Sequence, residues 1–161
     1  MSRVVLGVDP GFTVTGFAIV TKNNNRDTVL DCGYISLPAS KSLDMRIRIF
    51  YDFLQEKIKQ YSITHLAIET PFLGKNAQSF LKLGYLRGVL YLLANQHNIT
   101  LHEFAPREVK RAITGFGGAQ KDQIAQVLFM IFPKLEKPKK EDVTDAIAIS
   151  LCGLWSQEQK L

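Results

Sequence analysis

The sequence predicts an α/β fold, a five-stranded mixed sheet flanked by helices. Three features of the chain support this. Short β-branched and apolar runs separated by turn residues fill roughly the first 37 positions. Apolar residues then recur at helical spacing from Leu43 to Ile58. Beyond them, strand-like and helical segments alternate before the chain ends in helices, the order expected of a meander followed by βα units.

The elements follow in order. Val4-Val5-Leu6-Gly7-Val8 is an apolar run closed by the turn Asp9-Pro10-Gly11, a first strand. Thr13 to Thr21 is β-branched and aromatic and reads as the second strand. The polar turn Asn23 to Asp27 separates it from a third, Thr28 to Leu37. Leu43, Ile47, Phe50, Leu54 and Ile58 mark an amphipathic helix over about 41–60. His65 to Glu69 is a fourth strand, stopped by Pro71. From Ala77 to Gln96 runs a helix apolar nearly all round, with Phe80, Leu83, Leu86, Val89, Leu90 and Leu93 on one side and Leu81, Tyr85 and Leu92 on another. Such a helix is buried or pairs with another subunit. Ile99 to Phe104 is a fifth strand, and Pro106 opens a short helix carrying Glu108, Lys110 and Arg111. After the loop Gly115-Phe116-Gly117-Gly118 comes a helix defined by Ile124, Val127, Leu128 and Ile131. A basic, proline-punctuated connector, Pro133 to Lys140, leads to a last helix from about Glu141 to Trp155, with Val143, Ile147 and Leu154 toward the core.

At 161 residues and 46% hydrophobic side chains the expectation is one domain over 1–161, not a disordered chain. No apolar run approaches the ~18 residues of a membrane span, and Asp9 interrupts the N-terminus before a signal-peptide core forms, so a cytoplasmic location is expected. The net charge of +5 suits an anionic partner, nucleic acid first and an acidic membrane surface second, with an ordinary basic excess as the alternative. Cys32 and Cys152 form no CxxC and read as reduced, buried thiols. His65, His97 and His102 lack metal-ligand spacing and read as structural or surface residues.

Four carboxylates stand out. Asp9 and Glu69 fall at the carboxyl ends of the first and fourth strands, where open α/β sheets bind ligands. Asp142 and Asp145, three apart, share one face at the start of the last helix. Taken singly, each has a structural reading: Asp9 as a turn residue, Asp142 as a helix cap. Together they are costly, since two like charges ~4 Å apart repel by about 4 kcal/mol at an effective dielectric near 20. Divalent cations or raised pKa values are the natural compensation. An oxygen-only donor set selects hard ions such as Mg²⁺ or Mn²⁺, and a pair of them clamps both oxygens of a phosphodiester displacement. Carboxylates, basic surface and metal pair point to a nuclease. A glycoside hydrolase needs no basic excess, and the glycine loop at 115–118 lacks the GxxxxGK[ST] pattern of a nucleotide-dependent kinase.

Gly7-Val8-Asp9-Pro10-Gly11 with Thr15-Gly16, Ala67-Ile68-Glu69 with Phe72, Lys75-Asn76 and Ser79, Leu83-Gly84 with Arg87-Gly88, Val109-Lys110, Gly117 to Lys121, and Asp142-x-x-Asp145-Ala146 together resemble the RuvC family of Holliday-junction resolvases, in order and spacing across essentially the whole chain. The resemblance implies a ribonuclease-H-like fold, a homodimer on a four-way DNA junction, and paired Mg²⁺-dependent nicks by a crossover junction endodeoxyribonuclease, with a branch-migration motor as a further partner. Carried over, Asp9, Glu69, Asp142 and Asp145 hold two Mg²⁺ ions per site, with Mn²⁺ as a substitute. Lys121 joins them catalytically, or is a solvated lysine, and Phe72 matches the loop aromatic that opens the junction, or is a core plug beside Glu69. Lys110 and Lys121 match family lysines beside the phosphate backbone and Asn76 lies in the matching motif, while Lys75, Lys82, Lys110 and Arg111 read either as a DNA-binding basic track or as plain surface. Tyr85 stands where a small polar residue such as Gln is expected. Lys121 is placed near a helix start, unfavourable for a cation unless a phosphate lies beside it. The competing classes are an enzyme of the same fold acting on RNA or RNA–DNA hybrids, a non-catalytic junction binder, and an actin-like ATPase, for which this chain is too short.

Overall fold

The computed structural model describes residues 2–157. Its elements are β1 (Val4–Asp9), β2 (Val14–Asn23), β3 (Arg26–Ser36), α1 (Leu43–Tyr61), β4 (His65–Glu69), α2 (Ala77–Gln96), β5 (Thr100–Phe104), α3 (Pro106–Thr114), α4 (Lys121–Ile131) and α5 (Glu141–Trp155). The sheet order is β3-β2-β1-β4-β5, with β1, β2 and β3 antiparallel and β4 and β5 parallel to β1. This is the expected mixed sheet, and the expected meander is its antiparallel half.

The boundaries differ most at the β2–β3 hairpin. Asn24 and Asn25 both take positive φ, 46° and 64°, which Asn tolerates and a two-residue turn requires. Pairing therefore runs to Asn23↔Arg26, and the turn is tighter than its polar flanks suggest. Pro106 takes the first helical position of α3, and the Glu108 carboxylate accepts from the Ala105 N–H at 2.6 Å.

Two apolar layers sandwich the sheet. On one face Leu6, Val8, Ile19, Leu66 and Ile68 pack against Phe50 and Leu54 of α1 and Leu86, Leu90 and Leu93 of α2. On the other, Val5, Ala18, Val20 and Ala67 meet Val109, Ile113, Leu128, Val143 and Ile147 from α3, α4 and α5. β1 is buried on both faces, which is why it reads as an unbroken apolar run rather than an alternating one.

α5 is buried along nearly its whole length, more than its three predicted core positions suggest. It lies close on the strands because glycines leave room: a Cβ at Gly7 would stand 2.5 Å from the Ala146 carbonyl oxygen, and one at Gly16 would stand 2.0 Å from that of Asp142. α2 divides as expected of a helix without a single apolar face. Leu86, Leu90, Leu93 and Ala94 are buried, while Leu81, Tyr85, Tyr91 and Leu92 are exposed. Cys152 is buried but Cys32, on the edge strand β3, is only half-buried, and both are free thiols. Among the described residues no helix is long and apolar enough to cross a membrane.

Candidate active site: an acidic cluster with a basic rim

Topology brings the four acids together. β1 and β4 are parallel neighbours in the register Val8↔Ile68, so Asp9 and Glu69 follow side by side at their carboxyl ends. Across β1, Asp9 pairs with Gly16 of β2, and Gly16 is the residue on which the Asp142 backbone rests. The missing side chain at Gly16 thus seats the first turn of α5 beside Asp9. Asp145 follows on the same helical face. Asp142 does not cap α5: Lys140 occupies the N-cap position, so the capping reading of Asp142 fails and its carboxylate is free for the cluster.

The electrostatics show how close the acids are. Burial, then the charges of Asp145, Asp142 and Glu69, push the Asp9 carboxyl up to about 8, against a smaller opposing pull from Lys121. Glu69 is raised by burial and by Asp145, with Lys110 and Lys121 acting the other way. Asp145 is raised chiefly by burial, Lys121 holding it down and Asp142 adding to the rise, while a hydrogen bond with Asp9 lowers it. Burial and the neighbouring acids thus act in the same direction on Asp9 and Asp145, each favouring the protonated carboxyl.

The cations form a rim. Lys121 is the first residue of α4, and its ammonium reaches Glu141 at 3.1 Å and Asp145 at 4.0 Å. The unfavourable helix-start position is offset in the free protein by these two carboxylates, not by a phosphate alone; Glu141 as a partner of Lys121 was not read from the sequence. Lys110 is half-buried and near enough to Glu69 to lower it. Arg111 lies exposed further along α3, beside the Gly117 loop.

Phe72 lies in the loop between β4 and α2 and is 83% exposed, which excludes a core role for its ring. A cavity of about 190 Å³ joins that loop to the acids, lined by Asp9, Glu69, Phe72, Phe80 and Arg87. Lys75 is exposed on the same loop. The Asn76 side-chain oxygen caps α2, accepting from the N–H groups of Gln78 and Ser79 at 3.1 and 3.2 Å, which leaves its amide nitrogen free of that role.

Beneath this loop, Arg87 organises β4. It is 8% exposed, donates to the Glu69 carbonyl at 2.5 Å and pairs with Glu103 at 3.0 Å, while the Tyr91 hydroxyl donates to the same carboxylate. The sequence marked Arg87 only through a motif. Its buried position over a strand end was the physical signal available, since an arginine among leucines of a helix needs a partner.

The donor set is all oxygen, which suits a hard divalent cation. Among the described residues no three His, Cys, Asp or Glu side chains stand close enough to clasp an ion as they are placed. Burial and then the neighbouring acids raise the Asp9 carboxyl, and a cation bound beside it would offset both. His65, at the start of β4, stacks at 5.3 Å on His102 in the middle of β5.

A family model described as "Crossover junction endodeoxyribonuclease RuvC" matches residues 5–153. The protein of that name from Pelodictyon phaeoclathratiforme is 45% identical over 151 residues, 94% of this chain and 79% of the relative. The one from Halothermothrix orenii is 35% identical over 149 residues, 92% of this chain and 90% of the relative. In structure, the chain is similar to Thermus thermophilus RuvC solved with a Holliday junction substrate, with a TM-score of 0.86, 25% identity, and coverage of 92% of this chain and 91% of that one. The yeast mitochondrial Holliday junction resolvase Ydc2 shares the fold, with a TM-score of 0.62 at 15% identity over 92% of this chain and 76% of its own.

Proposed function

Since the chain belongs to the family of the crossover junction endodeoxyribonuclease RuvC, we propose that its acidic cluster is the cutting centre, with Asp9, Glu69, Asp142 and Asp145 as ligands of two Mg²⁺ ions. The fold is ribonuclease-H-like and the activity is endonucleolytic hydrolysis of DNA at four-way junctions. The observation that carries the assignment of the site is the topology: Asp9 and Glu69 end the parallel neighbours β1 and β4, and Gly16, the partner of Asp9, seats the Asp142 turn of α5 beside them, with burial and then these neighbours raising the Asp9 carboxyl to about 8.

The residues divide the work. Asp9, Glu69, Asp142 and Asp145 would hold divalent ions that would supply Lewis acidity toward the phosphate and positive charge toward the departing 3′ oxygen. Asp9, its carboxyl raised by burial and then by the neighbouring acids, would release its proton to solvent on serving as a ligand, so ion affinity should rise with pH. Lys121 exchanges Glu141 for a phosphate oxygen and neutralises charge gathering on it, while Lys110 guards the Glu69 side. Products carry 5′-phosphate and 3′-hydroxyl ends. Lys75, the amide of Asn76 and Arg111 continue the contact with the DNA backbone, and Mn²⁺ serves in place of Mg²⁺.

The test is a labelled synthetic junction beside fork, duplex and RNA–DNA hybrid, with and without Mg²⁺. The account expects nicking of the junction alone and only with the ion. Cutting of the hybrid with the junction intact would favour the ribonuclease alternative.

Phe72 acts as an apolar wedge at the branch point. Because its ring is exposed, Phe72→Ala should change stability by less than about 0.5 kcal/mol. The same variant should lose most of the base unstacking reported by a fluorescent base analogue at the crossover; unaltered unstacking would reject the wedge.

The exposed apolar face of α2, with Leu81, Tyr85 and Leu92, pairs with a second copy, so that two sites meet two strands of matching geometry. Tyr85 then belongs to that face rather than to the site. Light scattering should give a dimer, and Leu81→Glu should weaken it at least about tenfold, the scale of one central interface side chain. A monomeric wild-type protein would remove the paired-nick reading. The proposal extends to a cytoplasmic location and to a branch-migration motor as the partner that delivers the junction, both implied by the resemblance; among the described residues no helix is able to cross a membrane.

A further inference from the structure

We infer that the connector between α4 and α5, Pro133 to Lys140, is a second DNA-holding element that grips the phosphates of the duplex arm leading into the cutting centre; the inference rests on the junction-cutting function above. Four lysines (Lys134, Lys137, Lys139, Lys140) against Glu136 give this stretch a net charge of +3, over half of the chain's +5. All four are exposed. Among the described residues Lys137 and Lys139 have no carboxylate partner, whereas Lys57 and Lys121 are ion-paired.

Placement distinguishes this run from a merely solvated charged face. Lys137, Pro138 and Lys139 line a groove of about 660 Å³ that also includes Lys121 and the acids Asp122, Glu141 and Asp145, with Phe129 on its apolar side. Two unpaired cations therefore stand in one continuous depression with the lysine and the acid of the cutting centre. The connector is also held in place. Phe132 is buried, Leu135 packs against the core, the Leu135 N–H donates to the Phe132 carbonyl at 3.0 Å, and Lys140 lies over the Tyr34 ring at 5.9 Å. Lysines presented from an anchored loop lose less freedom on meeting phosphate than lysines on a mobile one. A groove that begins at the scissile position and is lined by unpaired ammonium groups fits a polyanionic backbone running outward from the cut.

The experiment compares wild type with the double variant Lys137→Gln/Lys139→Gln and with Lys22→Gln, an exposed lysine at the opposite end of β2. Junction affinity is measured in Ca²⁺ over a range of salt, with long-armed and short-armed junctions, and cleavage at saturating junction in Mg²⁺. On long arms the double variant should show a log–log salt slope shallower by about 1.8, from two lost phosphate contacts at 0.9 each. On arms too short to reach the connector, the two proteins should bind alike. Its cleavage rate at saturation and its thermal stability should match wild type. An unchanged slope would overturn the inference, and so would a Lys22→Gln slope change as large per charge. Wild-type cutting in the same series is a separate readout: its absence would strike the junction-cutting function and leave the slope to judge the connector.

Discussion

Replacing Asp9 with Asn is expected to abolish junction cutting and, in the same protein, to raise thermal stability. The Asp9 carboxyl is pushed up to about 8 from an ordinary 3.8, first by burial and then by the neighbouring acids. A group whose folded pKa is raised binds its proton more tightly in the folded state. Its stabilising contribution is whole below 3.8 and is lost as pH climbs through the window to about 8. Within that window the wild-type protein without divalent ions should lose up to about 1.4 kcal/mol per pH unit from this group. Asn carries no charge to desolvate, so Asp9→Asn should flatten that slope and gain on the order of 2–4 kcal/mol at neutral pH. Millimolar Mg²⁺ should raise the melting temperature of wild type by mass action and leave the variant where it was. Cutting should fall by on the order of 10³-fold or more, with junction binding retained. A variant that is less stable and still cuts would reject both the burial argument and the ligand role.

Arg87→Met is expected to be the most destabilising single change near the site. Arg87 is the buried cation that joins the end of β4 to Glu103. Removing it takes the buried Arg87 donor from the Glu69 carbonyl and from the partly exposed Glu103 carboxylate, a loss of about 1–3 kcal/mol. Glu103 keeps the Tyr91 hydroxyl. Adding Glu103→Gln to Arg87→Met should therefore recover part of the stability, by removing the stranded charge. It should not recover cutting, because the strand end that carries Glu69 has still lost its anchor. Recovery of cutting in the double variant would show that Arg87 acts through the global fold and not through the position of Glu69.

The contrast between Asp9 and Arg87 shows what the sequence can disclose. The acids were legible because chemistry and position coincide: two carboxylates end predicted strands, and two more sit three apart on a helix start. The α2 and β4 limits came out as read, since Pro71 and the long apolar periodicity leave little choice. What stayed hidden depends on contacts between distant segments. Gly16 reads as a strand glycine, yet its missing side chain sets the depth at which α5 carries Asp142 to Asp9. Glu141 reads as an ordinary helix-start acid, yet it is the nearest partner of Lys121. Phe72 was open to a core reading because pattern alone does not tell an aromatic tucked under a loop from one displayed on it. Pairing of Arg87 with Glu103 joins a helix to an edge strand, and no local spacing announces such a bond.

The central claim is that acids from β1, β4 and α5 form one ion-binding centre. Anomalous diffraction from crystals soaked in Mn²⁺ tests it most directly. The account predicts two peaks per active site, bounded by the carboxylates of Asp9, Glu69, Asp142 and Asp145, and their disappearance in the Asp9→Asn protein. A map with no peak among those four carboxylates, under conditions in which the same protein cuts a junction, would contradict it.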